Sequence, residues 1–303
     1  RKFGYSDSLA TASIASGGTL GILIPPSVIL IIYGIMTEQS IGKLFLAGII
    51  PGIIGIVFYL GAVRWTVFRN PEAGPAGERS TWPERFNAIK DVWGIVLLFA
   101  VVLGGIYAGI YTVTEAAGIG AFGALVIALM KRMMTWHALF DSLVTTIRTT
   151  AMLFTVLIGA QIFQVFIVRT GMPEDLVAFV THFGVEPMIV ILLMLLVYIA
   201  LGCVFESLSM LLLTVPVFAP VVASLGFFPD FPGDAGVELS LIWFGIVVVV
   251  VTEISLITPP VGLNVFVLRG VLGDVSTGTI FRGVTPFWVF DILRLALLVL
   301  FPW

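Results

Sequence analysis

Val251-Thr252-Glu253-Ile254-Ser255-Leu256-Ile257-Thr258-Pro259-Pro260-Val261-Gly262 places two adjacent prolines and a glycine in the middle of an apolar run over 240–268. A second stretch, Gly17-Gly18-Thr19-Leu20-Gly21-Ile22-Leu23-Ile24-Pro25-Pro26-Ser27, repeats the arrangement inside the apolar run 7–36. Proline removes a backbone donor and crowds the preceding turn, and glycine weakens a helix. Each run therefore reads as two half-helices joined by unwound backbone. In a bilayer such backbone is tolerated only where it faces protein or a water-filled cavity, so both breaks mark a functional interior.

The rest of the chain supports a bilayer setting. Of 303 residues, 59% are hydrophobic and 11% charged, against about 25% charged in a soluble domain; the mean hydropathy is +1.14. No charge falls in 9–37, 92–114, 116–130 or 149–168, runs that reach or approach the ~20 residues of a membrane crossing. Barrel strands would alternate polar and apolar residues, whereas 95–102 and 246–251 are continuously apolar. The fold class is all-α: a polytopic membrane protein with inverted repeats, discontinuous helices and re-entrant hairpins. Candidate spans are 7–36, 41–63, 92–111, 114–130, 149–168, 187–205, 207–225, 240–268 and 283–302.

The polar loop 64–91 carries Arg64, Arg69, Arg79, Arg85 and Lys90, and Lys131 with Arg132 follows two crossings later. Lys and Arg are retained on the cytoplasmic side, which places these segments inside and the Lys- and Arg-free segments 170–187 and 226–239 outside. The stretch 187–225 is either two passes or one pass with a re-entrant hairpin. With Arg1 and Lys2 inside, the first broken run leads outward to Glu38, and the second leads inward to Arg269. Matched breaks in opposite orientation are the sequence pointer to a secondary-transporter site near the membrane midplane.

At a break, free carbonyls end one half-helix and free N–H groups begin the next, giving partial negative and positive charge respectively. Pro26 and Pro260 are expected in the first turn of the second half-helices. Pro25, Pro26 and Ser27, with Pro259, Pro260 and Gly262, then form the expected substrate site, where Ser27 or Gly262 offers backbone to a carboxylate. Carbonyls around Gly17, Gly18 and Gly21 and the Thr19 hydroxyl supply oxygen ligands suited to sodium; Thr252, Ser255, Thr258 and Asn264 play the analogous part. Asn264 serves equally well as a donor to a freed carbonyl. Arg269 is either an attractor for an anionic substrate or an interfacial anchor.

Acids inside apolar runs are costly and are functional candidates by default. Glu206 and Glu253 are accordingly possible coupling acids, or acids bonded to backbone. Tyr33, Tyr107, Trp93, Trp243, Trp288 and Trp303 fall near expected span ends as an aromatic belt. The lone Cys203 reads as a buried small hydrophobe, and His137 and His182 lack partners at ligand spacing, which argues against a transition-metal site. A net charge of −3 gives no reason to expect a nucleic-acid partner.

GGTLGILIPPS at 17–27, followed by Tyr33-Gly34, resembles the large membrane subunit of the tripartite ATP-independent periplasmic (TRAP) transporters. So do GIYTVTEAAGIGAFGAL at 109–125, SMLLLTVPVFAP at 209–220 and SLITPPVGLNVFV at 255–267. The resemblance implies an elevator-type, sodium-coupled importer of organic acids in the bacterial inner membrane, with sodium as coupling ion and no cofactor. The implied partners are a small four-helix membrane subunit and a periplasmic substrate-binding protein. Val113, Ser255 and Glu206 depart from residues common in the family, proline, glycine and aspartate. The second copy has an upstream arm at 149–225, while the first opens at its broken helix. The chain is therefore expected to be the C-terminal two-thirds of a subunit, with one sodium site incomplete.

The expected organisation is 1–40 as the first broken helix of a transport domain, 41–148 as scaffold, 149–270 as the second repeat and 271–303 as a C-terminal transmembrane helix. No nucleophile with a base and no ligand-spaced His and acid set is present, which argues against an enzyme. The nearest alternative is an organic-anion transporter of similar fold that needs no binding protein.

Overall fold

The computed structural model describes residues 4–77, 81–231 and 233–302, the Asp91 side chain excepted. Arg1, Lys2, Arg79 and Trp303, used above, lie outside the described residues. Within them the secondary structure is helical: α1 (Asp7–Leu23), α2 (Val28–Thr37), α3 (Ile41–Arg69), α4 (Trp82–Tyr107), α5 (Val113–Met130), α6 (Trp136–Arg169), α7 (Met172–His182), α8 (Pro187–Gly202), α9 (Ser207–Ser224), α10 (Asp234–Ile257), α11 (Leu263–Val271) and α12 (Thr277–Leu300). Seven helical segments among the described residues, α1 with α2 counted as one, are long and apolar enough to cross a membrane.

Several boundaries differ from the sequence expectation, each for a local reason. Helix α6 begins at Trp136, not 149, because amphiphilic 136–148 continues the helix, and 172–182 forms α7 where a loop was expected. The polar stretch 64–91 is largely helical: α3 runs on to Arg69, and α4 starts at Trp82 behind a Thr81/Glu84 capping box. The stretch 187–225 divides into α8 and α9. At 16 residues, α8 is only ~24 Å long, shorter than the ~30 Å hydrocarbon core.

The chain forms two compact units, 77–159 and 1–76 with 160–303. In the first, α4 packs on α5 through glycines. Gly94 faces Ile127, Leu98 faces Gly123 and Val102 faces Gly120, a falling register that makes the pair antiparallel.

The second unit is built around α10, which is buried at every position from Ser240 to Ile257. A helix apolar on all sides belongs in an interior, and its valine run 247–251 has none of the polar face that water requires. Two contacts fix its direction against the first broken run. The Tyr33 hydroxyl donates to the Leu241 carbonyl at 2.6 Å, and Asn264 Nδ2 donates to the Ala15 carbonyl at 3.3 Å. Rising numbers in one run meet falling numbers in the other, so the two broken segments lie antiparallel. Helix α3, expected in the scaffold, packs in this same unit. Its Gly48 and Gly52 lie against Leu23 and Ile24 of the first break, small residues allowing close backbone approach.

Candidate functional site

The first break is residues 24–27, between α1 and α2. Residues 25 and 26 have no N–H, so the carbonyls of Gly21 and Ile22, four residues earlier, lose their helical donors. Ser27 compensates in part. Its hydroxyl donates to the Ile22 carbonyl and accepts from the Leu30 N–H at 3.2 Å, capping α2. The second break, 258–262, repeats this logic: Pro259 and Pro260 free the helical positions opposite the Ser255 and Leu256 carbonyls. The Ser255 carbonyl instead takes the Thr258 N–H at 3.1 Å. Both Pro-Pro peptide bonds are cis. Gly262 caps α11 with φ +57°, where a Cβ would also stand 3.0 Å from the Phe281 ring, so backbone conformation and space both demand glycine.

The structure redistributes the expected ligands. Gly17, Gly18 and Gly21 lie within α1 on an open face. The Gly17 and Gly18 carbonyls therefore belong to the helical ladder, and only Gly21 borders the break. Thr19 turns to the buried side, donating to the Ser16 carbonyl at 2.7 Å and lying 3.2 Å from the Tyr59 hydroxyl. Thr252 and Ser255 are inside α10, with hydroxyls bonded back to Val248 and Thr252 carbonyls. Thr258, at the break, donates to the Ile254 carbonyl and accepts the Trp288 indole N–H at 2.9 Å.

Pro26 and Pro260 precede the second half-helices, which begin at Val28 and Leu263, because Ser27 and Gly262 occupy the cap positions. Arg269 points away from the break. Its Nη1 donates to the carbonyls of Leu272, Gly273 and Val275 at 3.3, 2.5 and 2.7 Å, closing the C-terminal end of its own helix. The Glu206 carboxylate accepts the N–H groups of Leu208 and Ser209 at 3.0 and 3.1 Å and the Ser207 hydroxyl at 2.9 Å. That is the N-cap of α9.

Glu253 lies in α10 one turn before the break and is fully buried. Its partner escaped sequence reading: Arg294 of α12, also fully buried, donates from Nη2 to Glu253 Oε2 and lies 3.1 Å from Asp291 Oδ1. Tyr59 donates to Asp291 Oδ2 at 2.6 Å. Gly55 makes the space, since a Cβ there would collide with Arg294 Nη1. The available signal was an acid and a base three residues apart within the apolar run 283–302.

Three aromatic residues also leave the expected belt. Tyr33 and Trp243 are buried, the indole donating to the Leu298 carbonyl at 3.0 Å, and Trp288 anchors the second break. Tyr107 and Trp93 remain exposed.

The oxygen donors at both breaks are carbonyls and hydroxyls, a hard set that suits a hard cation. The family model for the tripartite ATP-independent periplasmic transporter, DctM component, matches residues 1–303. The C4-dicarboxylate TRAP transporter large permease protein DctM of Pseudomonas aeruginosa is 34% identical over 299 residues, covering 98% of this chain and 66% of the relative. The sialic acid TRAP transporter large permease protein SiaM of Vibrio cholerae is 31% identical over 303 residues, covering 98% and 66%. The ectoine/5-hydroxyectoine large permease protein UehC of Ruegeria pomeroyi is 30% identical over 304 residues, covering 99% and 67%. The chain thus spans 66% of the length of the first two relatives.

Proposed function

The chain belongs to the DctM family of tripartite ATP-independent periplasmic transporter permeases, multi-pass membrane proteins that are not enzymes, and from that premise we propose that it forms the translocating core of a sodium-coupled importer of small organic acids. The observation that carries this reading is the antiparallel pair of broken helices, read as an inverted repeat whose breaks supply freed carbonyls for the coupling ion and half-helix N-termini for the substrate carboxylate. Sodium, when bound, would neutralise the carbonyl ends at the breaks and so favour the approach of an anion. Gly21 and Leu256 carry the freed carbonyls, and Ile22, Ser255 and the Thr258 hydroxyl, each already in a hydrogen bond, are the further oxygens beside them; Ser27 and Gly262 present the opposing N-termini.

The mobile unit would comprise the two broken helices together with α3, α8, α9 and α12, which belong to one compact unit. Its setting would be the bacterial inner membrane. A small four-helix membrane subunit and a periplasmic binding protein would complete the system. The relatives named above for C4-dicarboxylates and sialic acid favour a carboxylate substrate.

The test is uptake of labelled dicarboxylates and sugar acids into proteoliposomes containing the complete permease and its small subunit. Each acid is assayed with and without the binding protein, under an inward sodium gradient or with potassium in its place. Uptake requiring both sodium and the binding protein is the expected result. Uptake without the binding protein would favour an organic-anion transporter of similar fold, and dependence on a proton gradient instead of sodium would reject the coupling ion.

A further inference from the structure

A cleft of about 330 Å³ lies between the second break and α12, lined by Ile257, Pro259, Phe281, Arg282, Val284, Thr285 and Trp288. That volume sits at the small end of ligand pockets, which are mostly apolar with a few placed polar groups. The composition fits: an apolar wall, one guanidinium and one hydroxyl. The Thr285 hydroxyl donates to the Phe281 carbonyl at 2.9 Å, leaving its oxygen free to accept.

The position of Arg282 is unusual for a surface cation. It is the sixth residue of α12, next to Phe281, whose ring covers Gly262 at the turn of the break. Its side chain is exposed, and no described carboxylate pairs with it. Arg269, the cation expected from sequence to draw in the substrate, is committed to three carbonyls at the end of its own helix. A guanidinium this near a helix end could reach the interface, yet this one lines the cleft beside the break, and its fork matches a carboxylate in two parallel bonds.

We infer that Arg282 is the residue that meets a carboxylate of the substrate, in the cleft beside Pro259. This rests on the organic-acid reading above and assigns its specificity-determining cation. The neighbouring break supplies the rest of the pocket: Trp288 holds Thr258 in place, and Phe281 and Ile257 give the apolar walls against which the carbon skeleton packs.

The test uses the complete permease with its small subunit, first in detergent at saturating sodium, measuring equilibrium binding of labelled succinate and N-acetylneuraminate, then in proteoliposomes with the binding protein. Arg282→Gln should weaken binding of whichever acid the unaltered protein takes up by about tenfold, the loss of one charge-assisted pair, while thermal stability is unchanged. Arg282→Lys should recover part of the affinity, and Arg269→Gln should leave it unaltered. Unchanged binding and uptake in Arg282→Gln, with sodium- and binding-protein-dependent uptake intact, would overturn the inference and spare the functional reading. A defect seen only in phosphatidylglycerol-containing vesicles and absent in phosphatidylcholine would also overturn it, assigning Arg282 to a lipid phosphate. Failure of both acids to bind or enter with the unaltered protein would remove the carboxylate reading on which it stands.

Discussion

Arg294 Nη2 donates to Glu253 Oε2 across the α10–α12 interface, and neither side chain reaches the surface. The connection does not stop there. Asp291 lies beside the same guanidinium, Tyr59 of α3 bonds Asp291, and Thr19 of α1 meets Tyr59. Four helices are tied into one chain of polar contacts near the end of α1 and the last turns of α10.

Removing one member of such a cluster leaves a buried charge without compensation, at a cost of about 3–5 kcal/mol. Arg294→Met is therefore expected to lower the melting temperature of the purified permease steeply. The triple change Glu253→Gln, Asp291→Asn, Arg294→Met removes the charges together and should restore most of that loss. Equal melting temperatures for Arg294→Met and the unaltered protein would show that the pair contributes nothing to stability.

Gly55→Ala tests the same region sterically. The added methyl would meet both Arg294 Nη1 and, at 2.6 Å, Leu20 Cδ2. Overpacking of this kind costs about 1–3 kcal/mol, against the ~0.5–1 kcal/mol that alanine gains over glycine within a helix. A net loss of thermal stability is expected. Combining Gly55→Ala with Arg294→Met should give less than the sum of the two losses, because the second change removes the atom that the first one strikes.

Much of this architecture was legible in sequence because it follows from backbone chemistry. Pro25-Pro26 and Pro259-Pro260 each remove two consecutive helical donors, more than the single prolines inside α3, α9 and α12 remove, and the breaks occur there. The placement of the expected ligand residues was less legible, since Gly17 and Gly18 weaken a helix without ending it, and α1 stays helical up to Leu23. Arg269 was read by charge, whereas its partners are carbonyls at the end of its own helix, and for Glu206 the backbone-bonded alternative is the one the structure places, at the N-cap of α9. The Arg294 cluster was hidden for a different reason. Its members come from positions 19, 59, 253, 291 and 294, and nothing local to any one of them announces the others.

Glu206 offers a direct separation of capping from proton coupling. As the N-cap of α9 its carboxylate satisfies two N–H groups, so Glu206→Ala should destabilise the protein by about 1 kcal/mol, and Glu206→Ser, another capping side chain, should recover most of it. Sodium-driven uptake by Glu206→Ser should keep the pH profile of the unaltered protein. A flattened profile in that stable variant would instead identify the carboxylate as a proton carrier.

The prolines supply the sharpest test of the break chemistry. Replacing Pro25 with alanine returns an N–H to position 25 and offers the Gly21 carbonyl its helical donor; replacing Pro26 does the same for Ile22, whose carbonyl now takes the Ser27 hydroxyl. If the freed oxygens serve the coupling ion, Pro25→Ala should raise the sodium concentration for half-maximal uptake by about tenfold, roughly 1.4 kcal/mol for one lost oxygen contact. Pro26→Ala should act less strongly, because the oxygen it claims is already engaged. Thermal stability should be unchanged or higher in both, since a helical hydrogen bond is gained. The order of the two effects is the informative outcome: a larger sodium defect in Pro26→Ala than in Pro25→Ala would move the ion away from the Gly21 carbonyl and towards Ile22 and Ser27.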